Sequence, residues 1–395
     1  MMRSVNLAAT VKQMALETGF ALVGIAPADV GNDLEFARQW VKRGFSGEMR
    51  YLANPKRAHP RRVLPSVQSV ICVGLVYDTE YPYSTQLQSA VGSRREAEGS
   101  EQKTGVRSEK AESSEEIAGE GDGPRAWISR YAWGKDYHRV MRARLEKLRD
   151  AINKLAPGAE TRVFVDTGPV VERVFARFSG IGWMGKNTCI IDEEKGSWFF
   201  LGVILTNLEL APDLPAPDRC GSCTACLQAC PTGALIEPYV MDATRCISYL
   251  TIELKGSIPA EYRAAVGANV FGCDICQDVC PWNSRRGSQE TSFQPQTVSA
   301  RKGETADSGS APSPFSLFHP LLEDLASLTE DDFRRVFAHS PIKRAKYRGL
   351  LRNLCVAMGN SGERRFIPRL ERLSRHPDPI VSEHARWALD RLQIA

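Results

Sequence analysis

The sequence predicts an α/β layered domain, then a cysteine-rich module, then a C-terminal helical unit. Three observations carry this expectation. Strand-like and helix-like segments alternate over residues 6–210; eight of the eleven cysteines lie between Cys220 and Cys280; and two amphipathic segments near the C-terminus are joined by Pro377-Asp378-Pro379. Alternating strands and helices pack as layers. A chain of 395 residues suits two or three domains.

Residues 6–18 have helical apolar spacing, and ALVGIA at 21–26 reads as a buried strand. LEFARQWVKR at 34–43 is helical, and SVICVGLVY at 69–77 a second strand. Residues 136–155 place Val140, Leu145, Leu148, Ile152 and Leu155 on one helical face. TRVFVDT at 161–167 is a strand, VVERVFARFSG at 170–180 a helix, and SWFFLGVILTNLEL at 197–210 a long buried strand or pair. Residues 84–126 lack any aromatic, and 92–122 are rich in Ser, Gly and Glu, so this stretch reads as a disordered insertion. The polar, Pro/Ser/Gly-rich stretch 284–314 reads as a linker. Thr329 and Asp332 form a capping box, residues 341–358 a helix ending at Gly359-Asn360. In the last helix pair, Ile367, Leu370 and Leu373 face Val381, Ala385, Ala388 and Leu392, the pattern of a HEAT-like repeat. The expected domains are 1–215, 216–283 and 317–395, with a linker over 284–316.

No apolar run approaches the roughly 20 residues that span a bilayer, and Lys12 and Glu17 interrupt any signal-peptide core. A cytoplasmic chain is expected. With no heptad seam, so is a monomer. Net charge is +4, yet residues 343–395 hold 12 Lys/Arg against 5 Asp/Glu, a local +7 on a body of −3. That fits either a polyanion docking at this end or a solvated helical face.

The cysteines fall as Cys220-x2-Cys223-x2-Cys226-x3-Cys230-Pro231, then Cys246, then Cys273-x2-Cys276-x3-Cys280-Pro281. C-x2-C-x2-C-x3-C-P is the bacterial ferredoxin ligand run, whose fourth Cys serves the other cluster. Eight ligands suit two [4Fe–4S] clusters. Cluster one takes Cys220, Cys223, Cys226 and Cys280, and cluster two takes Cys230, Cys246, Cys273 and Cys276. C-x2-C pairs also serve zinc, but zinc ribbons do not need the C-x3-C-P step that occurs twice here. Cys72, Cys189 and Cys355, alone in apolar segments, read as small core residues.

Residues 180–185, GIGWMG, satisfy G-x-G-x-x-G, and Gly180 to Asn187 nearly match a P-loop. A helix precedes the loop and an apolar segment follows, the wrong context for nucleotide binding. Its clustered amides with Lys186, Asn187 and Thr188 still make a cradle for a polar ligand. Asp166 ends a strand at a Gly/Pro turn, where it either faces a ligand crevice or caps the next helix.

Taken in order, SRYAWGKDYH at 129–138, VDTGPVVER at 165–173, GIGWMGKN at 180–187, CGSCTACLQACPTGA at 220–234, RCISYLTIELKG at 245–256 and GCDICQDVCPWN at 272–283 resemble the epoxyqueuosine reductases. The resemblance covers nearly the whole chain. It implies a cobalamin-binding α/β domain, a ferredoxin-like double-cluster domain and a HEAT-like unit. It implies the last step of queuosine synthesis, reduction of the epoxide on the wobble nucleotide of a tRNA anticodon stem-loop. Electrons pass from an unidentified donor through two [4Fe–4S] clusters to cobalamin. Asp166 matches the family's proton donor. Cobalamin contacts fall on Arg57, Ser129, Asp166, Lys186, Asn187 and Thr188, and segment 246–257 lies near cobalamin and the nucleoside. The donor must be protonated, and burial beside the corrin, away from cations, is the expected cause. Asp136-x-His138 nearly matches the D-x-H-x-x-G cobalt motif, but Met141 replaces its glycine, so a base-off cofactor with no histidine on cobalt is expected. A reductive dehalogenase-like reductase and a plain ferredoxin-type electron carrier are the alternatives.

Overall fold

The computed structural model describes residues 2–87, 122–284, 290–299 and 314–394. The bulk of the proposed insertion and most of the linker fall outside the described residues. The chain forms two compact units that interleave along the sequence: Met1–Asp78, Asp136–Thr244 and Cys280–Ser292 make the first, and Thr79–Lys135, Arg245–Val279 and Phe293–Ala395 the second. These units do not follow the three consecutive domains expected from sequence. Residues 216–283 are shared between both units, and 79–135 leave the α/β domain for the second.

The first unit is built on a four-stranded sheet of β1 (Leu22–Pro27), β2 (Ser69–Val76), β3 (Thr161–Phe164) and β4 (Phe199–Thr206), in the order β1-β2-β4-β3. All its pairings are antiparallel. Every residue of the central strand β2 is buried, as its continuous apolar run predicts. Alternate side chains point to opposite faces. On one face Val70, Cys72, Val203 and Leu205 share a core with Val174 and Phe175 of helix α4 (Glu172–Phe178). On the other, Gly202 lies under α3 (Tyr137–Leu155), where a Cβ would meet Leu145 at 2.8 Å and Met141 at 2.9 Å. Gly24 does the same for α4: a Cβ there would sit 2.0 Å from the Ser179 carbonyl oxygen. Helices α1 (Met2–Glu17) and α2 (Asp33–Lys42) complete the unit's main elements.

The second unit has one core running from Trp127, Ile128 and Trp133 through Val270 and Phe271 to Phe318, Leu354, Leu370 and Leu392. Trp127–Ile128 pairs in parallel with Asn269–Phe271. That pairing and the contact of Trp133 with Phe318 at 5.2 Å are what draw this stretch away from the first unit. The ends of the proposed insertion are ordered: Ser84 bonds Asp278, and Ala126 is fully buried. Part of the proposed linker is folded too. Phe293 is fully buried and Thr297–Val298 pairs with Phe315–Ser316.

At the C-terminus lie α5 (Lys346–Ser361), α6 (Ile367–Ser374) and α7 (Pro379–Ile394). Both capping-box bonds of Thr329 and Asp332 are present. The expected helix over 341–358 instead begins as a 3-10 turn at Pro341–Ala345, and α5 ends at Gly362, with φ 73°. Gly359 is no terminator. It is buried in the helix, where its Cβ position lies 2.8 Å from Ala388 Cβ of α7, so the two helices cross closely.

Candidate active site and thiol cavity

In the first unit, Cys220 and Cys223 lead into a short helix, Ala225–Ala229, that carries Cys226, and Cys280 precedes the turn Pro281–Asn283. All four sulfur-bearing residues line one cleft, open to solvent, together with Lys186 and Trp282. Lys186 Nζ donates to the carbonyls of Gly221 at 2.6 Å and Cys223 at 2.9 Å, pinning the loop that carries two of the thiols. Burial raises the Cys226 thiol, and burial pushes Cys280 up to about 11. Both thiols therefore need a bound cation to become the ligating thiolate. Among the described residues no three Cys, His, Asp or Glu side chains converge closely enough for a single metal ion.

The ligands expected for cluster two are divided: Cys230 belongs to the first unit and Cys246, Cys273 and Cys276 to the second. In the second unit the 273–276 turn is anchored by Asp274, which accepts from Ser129 Oγ at 2.5 Å, Arg130 N at 2.8 Å and Trp127 Nε1 at 3.0 Å. Ser129, expected at cobalamin, is thus buried in this network. Of the lone cysteines, Cys72 and Cys355 are buried as expected, while Cys189 is partly exposed.

Asp166 lies just beyond β3 with φ 54°, a left-handed conformation that costs a non-glycine residue about 1–3 kcal/mol. Its Oδ2 accepts from Tyr137 Oη at 2.9 Å and meets His138 Nε2 at 3.1 Å. His138 Nδ1 is in turn 2.9 Å from Asp136 Oδ1. Tyr137 is held flat against Phe200 of β4, ring centroids 4.2 Å apart at 3°. Partial burial opposes a charge on His138, but hydrogen bonds to Asp136 and Asp166 and the charges of both carboxylates outweigh it, bringing the imidazole up to about 9.

This geometry corrects two expectations. Asp166 is not set apart from basic groups: its side chain is 45% exposed and lies against His138, whose pKa is raised. Nor does it cap α4, whose N-cap is Val171 with no side-chain cap bond. Sequence reasoning missed Tyr137 and His138 as its partners. Both lie in the Asp136-x-His138 segment, whose spacing resembles a cobalt motif and does not by itself point to Asp166.

The remaining expected contacts form a chain around the Asp166 turn. Arg57 Nη1 donates to the Gly168 carbonyl at 2.5 Å, and Arg173 Nη1 to the Thr188 carbonyl at 3.1 Å. Thr188 has φ 64°, a second strained residue. Lys186, as above, turns to the thiol loop, and buried Asn187 accepts from Cys189 N at 3.2 Å to close the hairpin that joins Trp183–Met184 to Ile190–Ile191. The helix before this hairpin and the strand after it leave no nucleotide loop. Glu172, at the start of α4, is buried with Oε1 unpartnered, and burial, joined by the Asp166 charge, pushes it up to about 8 although its own backbone hydrogen bond and the charges of Arg57 and Arg173 oppose the shift.

Four cysteines of ferredoxin-like spacing lining one cleft, in the same unit as a strained acid hydrogen-bonded to a histidine, point to an iron–sulfur oxidoreductase. The family described as "4Fe-4S double cluster binding domain" matches residues 219–283, and the family described as "Epoxyqueuosine reductase QueG, DUF1730" matches residues 57–167. Epoxyqueuosine reductases of Xanthomonas campestris pv. campestris and Escherichia coli are 36% and 37% identical to it. Each alignment covers 97% of this chain, and 96% and 89% of the relative. A crystal structure of epoxyqueuosine reductase with an epoxyqueuosine-modified tRNA-Tyr stem loop superposes with a TM-score of 0.78 at 29% identity, covering 98% of this chain and 90% of that one. A Bacillus subtilis epoxyqueuosine reductase, with its aspartate-bearing catalytic loop swung out of the active site, has a TM-score of 0.76 at 27% identity and the same coverage. The chain belongs to the epoxyqueuosine reductase family, and it is an oxidoreductase.

Proposed function

We propose that the chain reduces epoxyqueuosine in the anticodon stem-loop of tRNA to queuosine, the last step of that nucleoside's synthesis, with Asp166 as the proton donor. The observation that carries this reading is the Asp166 turn: an acid in a strained conformation, half-exposed, aimed by Tyr137 and His138 from a rigid helix start. The mobility described for the catalytic aspartate loop of the Bacillus subtilis relative fits a residue on such a turn.

Two [4Fe–4S] clusters suit the chemistry because their potentials reach far below those of nicotinamide. Cys220, Cys223, Cys226 and Cys280 would hold the first and Cys230, Cys246, Cys273 and Cys276 the second. The cofactor of the chemical step is cobalamin in its base-off form. When bound, it supplies a reduced cobalt centre able to attack or reduce a strained carbon. Both nitrogens of His138 are engaged by carboxylates, in keeping with a cofactor that takes no histidine from this segment. Arg57, Asp166 and Thr188 line the turn that would face the corrin. Lys186 and Asn187 join that turn to the thiol loop, and Ser129 acts from its buried bond to Asp274. As the epoxide C–O bond opens, Asp166 delivers a proton to the developing alkoxide.

The stem-loop bound by the solved relative supports tRNA as the partner. Exposed Arg364, Arg365 and Arg372 on the second unit supply its phosphate contacts. Among the described residues no helix is long and apolar enough to cross a membrane, and a cytoplasmic monomer fed by a separate electron donor is the working picture.

The test is conversion of an epoxyqueuosine stem-loop by anaerobically reconstituted protein, read by mass spectrometry of the nucleosides. Asp166→Asn is nearly isosteric and should keep iron and corrinoid while turnover falls by about 10²–10⁴-fold, the loss typical of a positioned general acid. Near-normal turnover in this variant sinks the assignment.

A further inference from the structure

Asp136, His138 and Asp166 form one hydrogen-bonded line within the first unit. Asp136 is 5% exposed and doubly committed at the start of α3, where Oδ1 accepts from His138 N at 3.1 Å and meets Nδ1 at 2.9 Å. Nε2 then reaches Asp166 Oδ2 at 3.1 Å. The ring is stacked at 4.0 Å on Tyr137, itself clamped on Phe200, so it cannot rotate away without unstacking. The arrangement resembles the third member of a catalytic triad only in part, because here both ring nitrogens end on carboxylates.

Turning an epoxide into an alkene consumes two electrons and two protons and releases one water. A single carboxyl carries one proton at a time. We propose that His138 is the proton store for Asp166, refilling its carboxylate across the Nε2···Oδ2 contact between the two protonations. This rests on the reading of Asp166 as the donor.

The steps balance. As the ring C–O bond breaks, the Asp166 carboxyl proton passes to the leaving oxygen, which stays on the carbocycle as a hydroxyl, and Asp166 becomes a carboxylate. The Nε2–H bond of the imidazolium then breaks and its proton joins Asp166 Oδ2, leaving a neutral imidazole. As the second C–O bond breaks, Asp166 gives this proton to the hydroxyl, which departs as water. The two electrons that the reductase reaction supplies become the C=C bond. Solvent recharges His138, whose side chain is 30% exposed, and Asp166 refills from it.

The groups around the relay favour a charged imidazole at neutral pH. Asp136 faces it from its own helix start and Asp166 from the turn after β3, while β4 presents the apolar Phe200. Burial works against the charge but is outweighed by Asp136, which faces the ring throughout, together with Asp166 whenever it is a carboxylate, as it is once it has given its proton; with both, the imidazole is raised to about 9. Beyond Asp166 lies buried Glu172, whose pKa the Asp166 charge raises and the guanidinium of Arg57 lowers, and neither is among the groups that shift the His138 ring. His138 acts through Asp166 and is a positioning residue with a proton to give.

The experiment has two arms. In the cofactor-free chain, ¹⁵N-labelled imidazole signals should show His138 titrating near pH 9, and returning toward the ordinary value of about 6.5 in Asp136→Asn and in Asp166→Asn. In the reconstituted enzyme, His138→Gln keeps a hydrogen bond to Asp166 but has no proton to release. Its kcat should fall on the order of 10²-fold with KM unchanged, and the alkaline fall in rate expected for the parent near pH 9 should vanish. Asp136→Asn is the second variant, and should move that alkaline limb downward. A His138 that titrates near 6.5 overturns the proposal. So does His138→Gln with parental kcat and pH profile while Asp166→Asn is dead, which leaves the donor reading standing. An active Asp166→Asn removes both.

Discussion

Arg352 offers the sharpest test of how the second unit is held. It is 1% exposed on α5 and reaches back to the π-helical turn Tyr249–Glu253 and the strap after it. Its Nη2 donates to the Leu250 carbonyl at 2.5 Å, and its Nη1 to the carbonyls of Leu254 at 2.8 Å and Gly256 at 2.7 Å. The neighbouring Asn353 side chain donates to the carbonyls of Thr251 and Val270, both at 2.8 Å. In Arg352→Leu the bulk remains but four acceptors lose a charged donor, the buried Asn353 Oδ1 among them. The buried Leu250 carbonyl and Asn353 oxygen should cost about 2 kcal/mol each unsatisfied, whereas the two partly exposed carbonyls recover water and cost about 1 kcal/mol each. A loss of about 6 kcal/mol corresponds to a drop in Tm on the order of 15 °C for a unit of this size. Circular dichroism melts should show that drop, and amide hydrogen exchange should speed up over 250–256 first. A Tm within a few degrees of the parent, with unchanged exchange in the strap, would refute the reasoning. Arg352→Lys should fall between, since one ammonium cannot span carbonyls on both sides of the strap.

Three further predictions are independent of that one. Cys226→Ala should lower bound iron from about eight to about four per chain, with the remaining cluster visible by electron paramagnetic resonance; stoichiometric zinc in the parent protein would reject the iron–sulfur assignment. Charge reversal at Arg364, Arg365 and Arg372 should weaken stem-loop binding and flatten its salt slope by about one per lost phosphate contact. Arg369 is left out because its Nε is buried, and unchanged affinity would make this surface merely solvated. The second unit should lose stability in acid. Burial lowers His384 to about 4 while its Nε2 accepts from Ile258 N at 3.1 Å, and burial likewise lowers His319 to about 4. The unfolded chain therefore takes up protons below about pH 6.5 that the folded unit refuses down to about 4, so stability falls across that window. His384→Gln should flatten the pH dependence of the melting temperature, and an unaltered slope would count against it.

Much was legible in the residues alone. The buried strands at 22–27, 69–76 and 199–206, the helix at 137–155, the capping box at Thr329 and the Cys220-Cys223-Cys226 run all follow from local periodicity or short spacings. Such signals are written within a dozen residues. Cys220, Cys223 and Cys226 must come together because so few residues separate them, and the pattern also named Cys280, 54 positions from Cys226, as the fourth. The tertiary structure decided what depends on distant segments meeting. It sent residues 79–135 to the second unit through Trp127 and Trp133, kept Gly359 inside a helix because Ala388 crosses it, and gave Ser129 to Asp274 and Lys186 to the thiol loop. It also set Asp166 against His138, 28 residues away. The surroundings of an acid depend on what folds against it, and periodicity does not carry that information, which is why burial was expected at Asp166 and a hydrogen bond to His138 was found.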